Sequence, residues 1–279
     1  MTKSQELIVV SGASSGMGRA TAIELATRGF HVLAGVRNVE TASQLRRDGI
    51  ELVVLDITRT SDIEALRERI DSDPQGRALH ALVNCAGMGM VGPVEMLPLD
   101  TWRQMFEVNL FGHIAMTQAL LPALRRSKGR VVNISSTGGR IAMPAFGAYS
   151  ATKFALEAMS DAMRREIRQQ GVDVVVIEPG AVRTGMGASG TRAARALIDT
   201  MSSEDRTRYD GVMKGFFETV AGFDRQGISA ERAAERIAEA VTAHRPKTRY
   251  TIGRDAALYT RLARILPDRA LDRSLSPRG

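Results

Sequence analysis

Hydrophobic positions along this chain follow two alternating rhythms. Short runs of consecutive apolar, often β-branched residues begin with Leu7-Ile8-Val9-Val10 and recur at 31–36, 51–55, 78–83, 130–134, 172–177 and 249–252. Between them, apolar residues return every three to four positions, as on one face of a helix. Ala20, Ile23, Leu25 and Ala26 form the first such stripe, ending at Gly29; others are predicted over 41–48, from Ser61 with Asp62 and Glu64 in its first turn, and over 102–124, 149–170, 230–243 and 256–266. Runs this short and this apolar suit strands buried on both faces, and their alternation with helices predicts an α/β fold, a parallel sheet covered on both sides. The segment 185–229 breaks the rhythm while carrying Met186, Met201, Tyr209, Met213, Phe216 and Phe217. A long irregular connection of this kind is expected to serve binding.

In such a sheet, ligands gather at the carboxyl ends of the strands, and that is where this chain places its unusual residues. The first run ends in Ser11-Gly12-Ala13-Ser14-Ser15-Gly16-Met17-Gly18 ahead of a helix. Glycines permit close backbone approach, and a helix N-terminus presents free N–H groups to phosphate, so the loop is either a dinucleotide cradle or simply a tight turn. Its spacing, G-x-x-x-G-x-G, differs from the common G-x-G-x-x-G. The second run ends at Val36-Arg37 with no carboxylate, and an arginine there, with Ser14 nearby, suits the 2′-phosphate of NADP(H) rather than the free ribose of NAD(H), unless Arg37 only faces solvent. Asp56 ends the third run, either to accept from adenine or to cap the next helix, and Asn84-Cys85-Ala86-Gly87 end the fourth. Asn109 lies amid Met105, Phe106, Val108, Leu110 and Ile114, where a buried amide needs backbone partners or a fixed water.

The fifth run ends in Ser135 and Ser136, and Tyr149 and Lys153 follow four apart, on one face where a helix begins. An ammonium beside a phenol favours the phenolate, the property of an acid/base group for an alcohol or carbonyl.

Composition adds little to this picture. The 279 residues, 44% hydrophobic and 25% charged, suit one domain spanning 1–279, and no apolar run reaches the length of a membrane span. No signal peptide is expected, and the single cysteine, Cys85, agrees with a reducing, cytoplasmic setting. Most of the net charge of +7 lies in the tail 245–279, with nine arginines and lysines against three aspartates, which reads as a solvated or subunit-contacting segment rather than a nucleic-acid surface. His80, His113 and His244 lack ligand spacing, so no metal is expected.

The glycine loop, Asn84-Cys85-Ala86-Gly87, Asn109, Ser136, Tyr149-x-x-x-Lys153 and Pro179-Gly180 stand in the order and spacing of the short-chain dehydrogenase/reductase family, which the chain resembles closely over 6–184. It is most similar to hydroxysteroid and retinol dehydrogenase-like members. The resemblance implies a doubly wound, Rossmann-type sheet of about seven parallel strands and hydride transfer between NADP(H) and a substrate. It implies that Tyr149 exchanges the proton, that Ser136 binds the substrate oxygen, and that Lys153 lowers the Tyr149 pKa and holds the nicotinamide ribose. Asn109 would keep a relay water, Thr184 would meet the carboxamide, and Pro179, Gly180 and Val182 would flank the nicotinamide. Ser15, Met17, Ile57, Asn84, Ala86 and Gly87 complete the implied cofactor contacts. Ser11 and Cys85 depart from the threonine and asparagine usual in the family.

Met88, Met143, Phe146 and Met186 are expected to wall a substrate pocket suited to a bulky apolar ketone or secondary alcohol, with 185–228 as a substrate-binding segment that closes over it. The helices at 102–124 and 149–170 imply a homodimer or homotetramer, if their apolar residues do more than face the sheet. A dinucleotide-binding sensor or scaffold without turnover is the alternative, although such a protein would be expected to have lost Tyr149 or Lys153.

Overall fold

The computed structural model describes residues 6–275; Arg278 of the basic tail and the first five residues lie outside the described residues. Seven strands form one parallel sheet: β1 (Leu7–Val10), β2 (His31–Val36), β3 (Ile50–Val54), β4 (Leu79–Asn84), β5 (Arg130–Ile134), β6 (Asp173–Pro179) and, after a separate short pair, β9 (Arg249–Ile252), in the order β3-β2-β1-β4-β5-β6-β9. That pair is β7 (Val182–Arg183) and β8 (Ile228–Ser229). Side chains alternate across the sheet, so β1 sends Ile8 and Val10 to one core and Leu7 and Val9 to the other. The first core is closed by α1 (Gly16–Thr27) and α8 (Ala230–Thr242), through Ala22, Leu25, Ile237 and Val241. The second is closed by α2 (Thr60–Asp71), α4 (Gly112–Ser127) and α5 (Gly147–Ile167), through Leu66, Leu120 and Met163. Chain order reverses between β1 and β4, which opens a crevice over their carboxyl ends.

Three expectations change. The helix predicted over 41–48 is only a 3₁₀ turn, Ser43–Leu45: the Asn38 carboxamide oxygen accepts from the backbone N–H groups of Glu40 and Thr41, and only Ala42 and Leu45 enter the core. The helix predicted over 102–124 is interrupted. After α3 (Leu99–Phe106), a π-helical turn, Glu107–Phe111, carries Asn109 before α4 resumes the α-helical register. The supposedly irregular 185–229 is mostly helical, as α6 (Gly185–Thr200) and α7 (Ser203–Gln226), capped by Thr184 and Ser202. Their small and charged residues hide the period: α7 buries only Met213, Phe216 and Val220. The tail forms α9 (Arg254–Ile265) and α10 (Asp268–Leu275).

Candidate active site

The glycine loop at the end of β1 is fixed by backbone crowding. Gly12 takes φ +66°, and a Cβ there would lie 2.6 Å from Ala86 Cα at the end of β4. At Gly18 a Cβ would collide with the Gly12 carbonyl oxygen, so the loop folds tightly onto the first turn of α1. Gly16, at φ +54°, faces Thr184 across the cleft. Ser11 fills the place of the family's threonine without loss, since its Oγ accepts from the backbone N–H groups of Cys85 (3.0 Å) and Ala86 (3.1 Å) and joins the ends of β1 and β4. Ser14 and Ser15 are exposed on the loop, Met17 lines the cavity in front of Tyr149, and no acidic residue lies in the first turn of α1.

Further along the crevice, Arg37 stands exposed after β2 and makes no hydrogen bond or ion pair among the described residues. Asp56 does not cap the next helix, whose N-cap is Arg59: its Oδ1 accepts from the backbone N–H and hydroxyl of Thr58, at 3.0 and 2.7 Å, in a turn ahead of α2. Burial raises its pKa, but these hydrogen bonds and the charges of Arg37 and Arg59 outweigh burial and hold the carboxyl below its ordinary value. Ile57 is buried under the first turn of α4, against Gly112. Asn84 departs from expectation, because its amide is fully buried and donates to Thr117 Oγ1 (3.1 Å) and Asn133 Oδ1 (2.9 Å). It braces β4 against β5 and α4 instead of presenting its side chain to the crevice. Ala86 contributes its carbonyl to buried His113 at 2.8 Å, while Gly87 is exposed beside Asn109.

Asn109 finds its partners in the protein. Its Oδ1 accepts from Met88 N–H and its Nδ2 donates to Met88 O, both at 2.9 Å, and Nδ2 also donates to Thr152 Oγ1 at 3.1 Å. The π turn thus ties the loop after β4 to α5, next to Lys153.

At the end of β5, Ser135 is buried, whereas Ser136 is half-buried, and its Oγ accepts from Gly138 N–H at 3.0 Å. A Cβ on Gly138 would meet Tyr149 Cε1 at 3.2 Å and Ser136 Oγ at 3.4 Å, so glycine there leaves the hydroxyl and the phenol ring facing one small space. Lys153 is buried; its Nζ donates to Ile134 O at 2.9 Å and sits 5.8 Å from the centre of the Tyr149 ring. Burial pushes Lys153 down to about 8, opposed by Cys85 and Glu157. Cys85 is itself pushed up to about 12 by burial, so it is a neutral thiol where Lys153 titrates, and Glu157 is left as the effective opposing charge. Burial raises the Tyr149 pKa and the Ser136 hydroxyl only partly offsets that rise, so the net shift is upward where a lowering was expected. One of the three Nζ donors goes to the Ile134 carbonyl, and burial weakens the lysine's hold on its own proton.

One cavity, of about 170 Å³, opens in front of Ser136 and Tyr149. Pro179, Gly180, Val182 and Thr184 line it, together with Met143, Phe146, Met186, Phe216, Val220 and Phe223. Met88 does not line it and packs instead with Leu97, Trp102, Met105 and Leu197 behind the tyrosine. Sequence reasoning missed Ile141, Val220, Phe223 and Tyr259, all of which do. Tyr259 belongs to α9, whose basic charge drew attention away from its apolar face; a helical count from Phe216 would have reached Val220 and Phe223.

These positions now have external company. The family model described as "short chain dehydrogenase" matches residues 6–195. The chain is 33% identical to NADPH-dependent 3-dehydrocapnine reductase of Ornithobacterium rhinotracheale, covering 95% of this chain and 94% of that protein. It is 35% identical to mouse (Mus musculus) retinol dehydrogenase 7, over 90% and 82%. In three dimensions it matches the crystal structure of a short-chain dehydrogenase from Streptomyces avermitilis with a TM-score of 0.81 and 30% identity, covering 98% of this chain and 97% of that one. With a serine, a tyrosine and a buried lysine converging beside a glycine-rich first turn, and likenesses that run nearly end to end, the chain belongs to the short-chain dehydrogenase family.

Proposed function

We propose that the protein is an NADP(H)-dependent oxidoreductase that moves hydride between the nicotinamide and a bulky, mainly apolar ketone or secondary alcohol. The observation that carries this reading is the convergence of Ser136 Oγ and the Tyr149 ring at the end of one predominantly apolar cavity. The residues present suit the cofactor: the cramped loop of Gly12, Gly16 and Gly18, an α1 first turn without a carboxylate, and an exposed Arg37 that makes no hydrogen bond or ion pair among the described residues. The NADPH dependence in the name of the Ornithobacterium reductase points the same way. Ser14, Ser15 and Arg37 would hold the adenosine and phosphate end, and Pro179, Gly180, Val182 and Thr184 the nicotinamide end. The bound dinucleotide supplies the hydride.

This chain's own residues manage the oxygen. Ser136 holds and orients the carbonyl, and Tyr149, kept a neutral phenol by burial, donates its proton as charge develops there. Lys153 stabilises the resulting phenolate and, with the Asn109 loop, fixes the approach to it. The apolar walls from α6 and α7 exclude water and match carbon-rich substrates, with 185–228 acting as the substrate-binding segment of a fold that spans 1–279. Phe111 and Phe154, about half exposed on the π turn and α5, support assembly as a homo-oligomer through these helices.

A panel of carbonyls followed by NADPH absorbance tests the substrate class. Bicyclic and long-chain ketones are expected to exceed small polar carbonyls in kcat/KM; the reverse order would refute the apolar pocket as the substrate site.

A further inference from the structure

Helix α5 carries more than Tyr149 and Lys153. Glu157 and Asp161 continue at the same four-residue spacing, so four ionisable groups form one stripe running from the cavity into the body of the protein. Glu157 is 4% exposed, and Glu178, on β6 immediately before Pro179, is 3% exposed. Arg249 of β9 reaches both acids of the stripe: its Nε and Nη2 donate to Glu157 Oε2 at 3.1 and 2.9 Å, and Nη2 donates to Asp161 Oδ1 at 2.8 Å. Its Nε also lies 3.3 Å from Glu178 Oε1. Arg140, just beyond the Ser136 loop, stands 3.9 Å from Glu157 and 3.7 Å from Glu178. On the other side, Gly139 packs so closely that a Cβ would lie 2.8 Å from Ser135 Oγ, 3.0 Å from Glu157 Cγ and 3.0 Å from the Lys153 carbonyl oxygen. Thr260 and Arg264 of α9 line the shallow surface cavity through which the cluster meets solvent.

Burying charges is costly, and a cluster of this kind is weak evidence of stabilisation for its own sake. Asp161 is paired in addition with Arg164 (2.5 Å) and Arg165 (3.7 Å), so Arg249 and Arg140 are left mainly to Glu157 and Glu178, and Glu157 Oε1 makes no hydrogen bond among the described residues. The carboxylate one helical turn from Lys153 therefore keeps one buried oxygen without a hydrogen-bond partner. The need for its charge is evident at the other end of the stripe, where Lys153 has a single carbonyl partner in a buried setting that favours the neutral amine.

We propose that Glu157 is a positioning residue for the reaction: held by Arg249, its carboxylate is the buried countercharge that keeps Lys153 an ammonium beside Tyr149 through turnover. The proposal rests on the catalytic reading of Tyr149 and Lys153 given above. The groups that set the state of Glu157 are Lys153 and Asp161 on its own helix, Ser135 and Arg140 from the loop after β5, Glu178 on β6 and Arg249 on β9. Burial raises the Glu157 pKa and Glu178 adds to the rise, while Ser135 and the Arg249 fork pull it down. The net direction is upward, and the Arg249 fork is the charge that opposes it.

The test is the pH profile of kcat for reduction of a bicyclic ketone such as decalone with NADPH. An ammonium that must stay charged produces an alkaline limb, and removing its countercharge moves that limb to lower pH. Glu157→Gln is expected to shift it down by about one pH unit, the scale of one nearby charge, while Glu157→Asp keeps the wild-type limb. If Glu157→Gln does not fold, the double substitution Glu157→Gln with Arg249→Met, which leaves no orphaned arginine, carries the same expectation. A folded charge-removing variant with an unshifted limb, or an aspartate variant that shifts as far as the glutamine, overturns the proposal. Tyr149→Phe, assayed alongside, separates the two ideas: turnover surviving there refutes the catalytic reading, whereas a dead Tyr149→Phe with an unmoved Glu157→Gln limb refutes only the countercharge.

Discussion

On the cofactor side of the cleft, backbone presses on backbone: a Cβ at Gly12 would reach within 2.6 Å of Ala86 Cα, and the Gly18 position is closed by the Gly12 carbonyl. On the substrate side, α6 and α7 meet the cavity mainly through side chains, among them Met186 and Phe216, and Phe216 lies tilted against Phe146 before α5 with ring centres 5.4 Å apart. The first surface has no slack to take up a substitution. The second is made of thioethers and aromatic faces that repack at small cost. A fixed cradle for an invariant partner therefore faces a wall that tolerates change, and perturbations should be severe on one side and graded on the other.

The harshest break should be Gly18→Val. Two methyl groups forced toward the Gly12 carbonyl either displace α1 or unseat the loop, and a loss of about 2–4 kcal/mol in stability, or of all measurable dinucleotide binding, is expected by denaturant titration and fluorescence. Arg37→Ala comes next. Losing a charged contact to a phosphate should weaken NADPH by about 1.5–3 kcal/mol, roughly tenfold to over a hundredfold, and leave NADH almost unchanged. Equal losses for the two cofactors would remove the argument for Arg37.

A moderate effect is expected from pH. His113 is fully buried, and burial pushes it down to about 3, so only its neutral form, donating from Nε2 to Ala86 O, belongs to the folded protein. Below the unfolded value of about 6.5 the unfolded chain takes up a proton that the folded chain refuses, so stability falls by up to about 1.4 kcal/mol per pH unit until the folded value near 3 is reached. Asp73 acts in the same direction at lower pH: Arg77 holds its carboxyl well below the usual carboxylate range, and that stabilisation is lost as acid protonates it. Urea titrations between pH 7 and pH 4.5 should show the decline, and His113→Gln should flatten its upper part.

The smallest effect belongs to the tolerant wall. Met186 is 42% exposed, so Met186→Ala should leave stability within about 0.5 kcal/mol. KM for a bulky ketone is expected to rise a few-fold with kcat held. A collapse of kcat instead would place Met186 on the rigid side of the comparison.

The same contrast explains what could be read before any coordinates. Strands buried on both faces show as unbroken apolar runs, and β9 was expected at the residues it occupies. The glycine loop and the Ser136, Tyr149 and Lys153 set were legible because backbone crowding and proton chemistry each restrict the residue type. The α6–α7 pair was not, since helices packed by one narrow face carry a weak period, and Gly185, Gly187 and Gly190 read as loop. Asn84 was ambiguous for another reason: an amide at a strand end has the same appearance in sequence whether it serves a ligand or the fold, and here Asn133 and Thr117 claim its side chain. The upward shift of Tyr149 was equally hidden, because burial is a property of the assembled pocket.

The most direct test of the central claim is Tyr149→Phe, measured for NADPH affinity and for turnover of a bulky ketone in the same preparation. The ring and its packing survive and only the proton donor is lost, so kcat is predicted to fall by at least about a hundredfold, the scale of general acid catalysis, with NADPH affinity within a few-fold of wild type. A variant that binds NADPH and retains more than about a tenth of the wild-type kcat would contradict the assignment of Tyr149 as the proton donor.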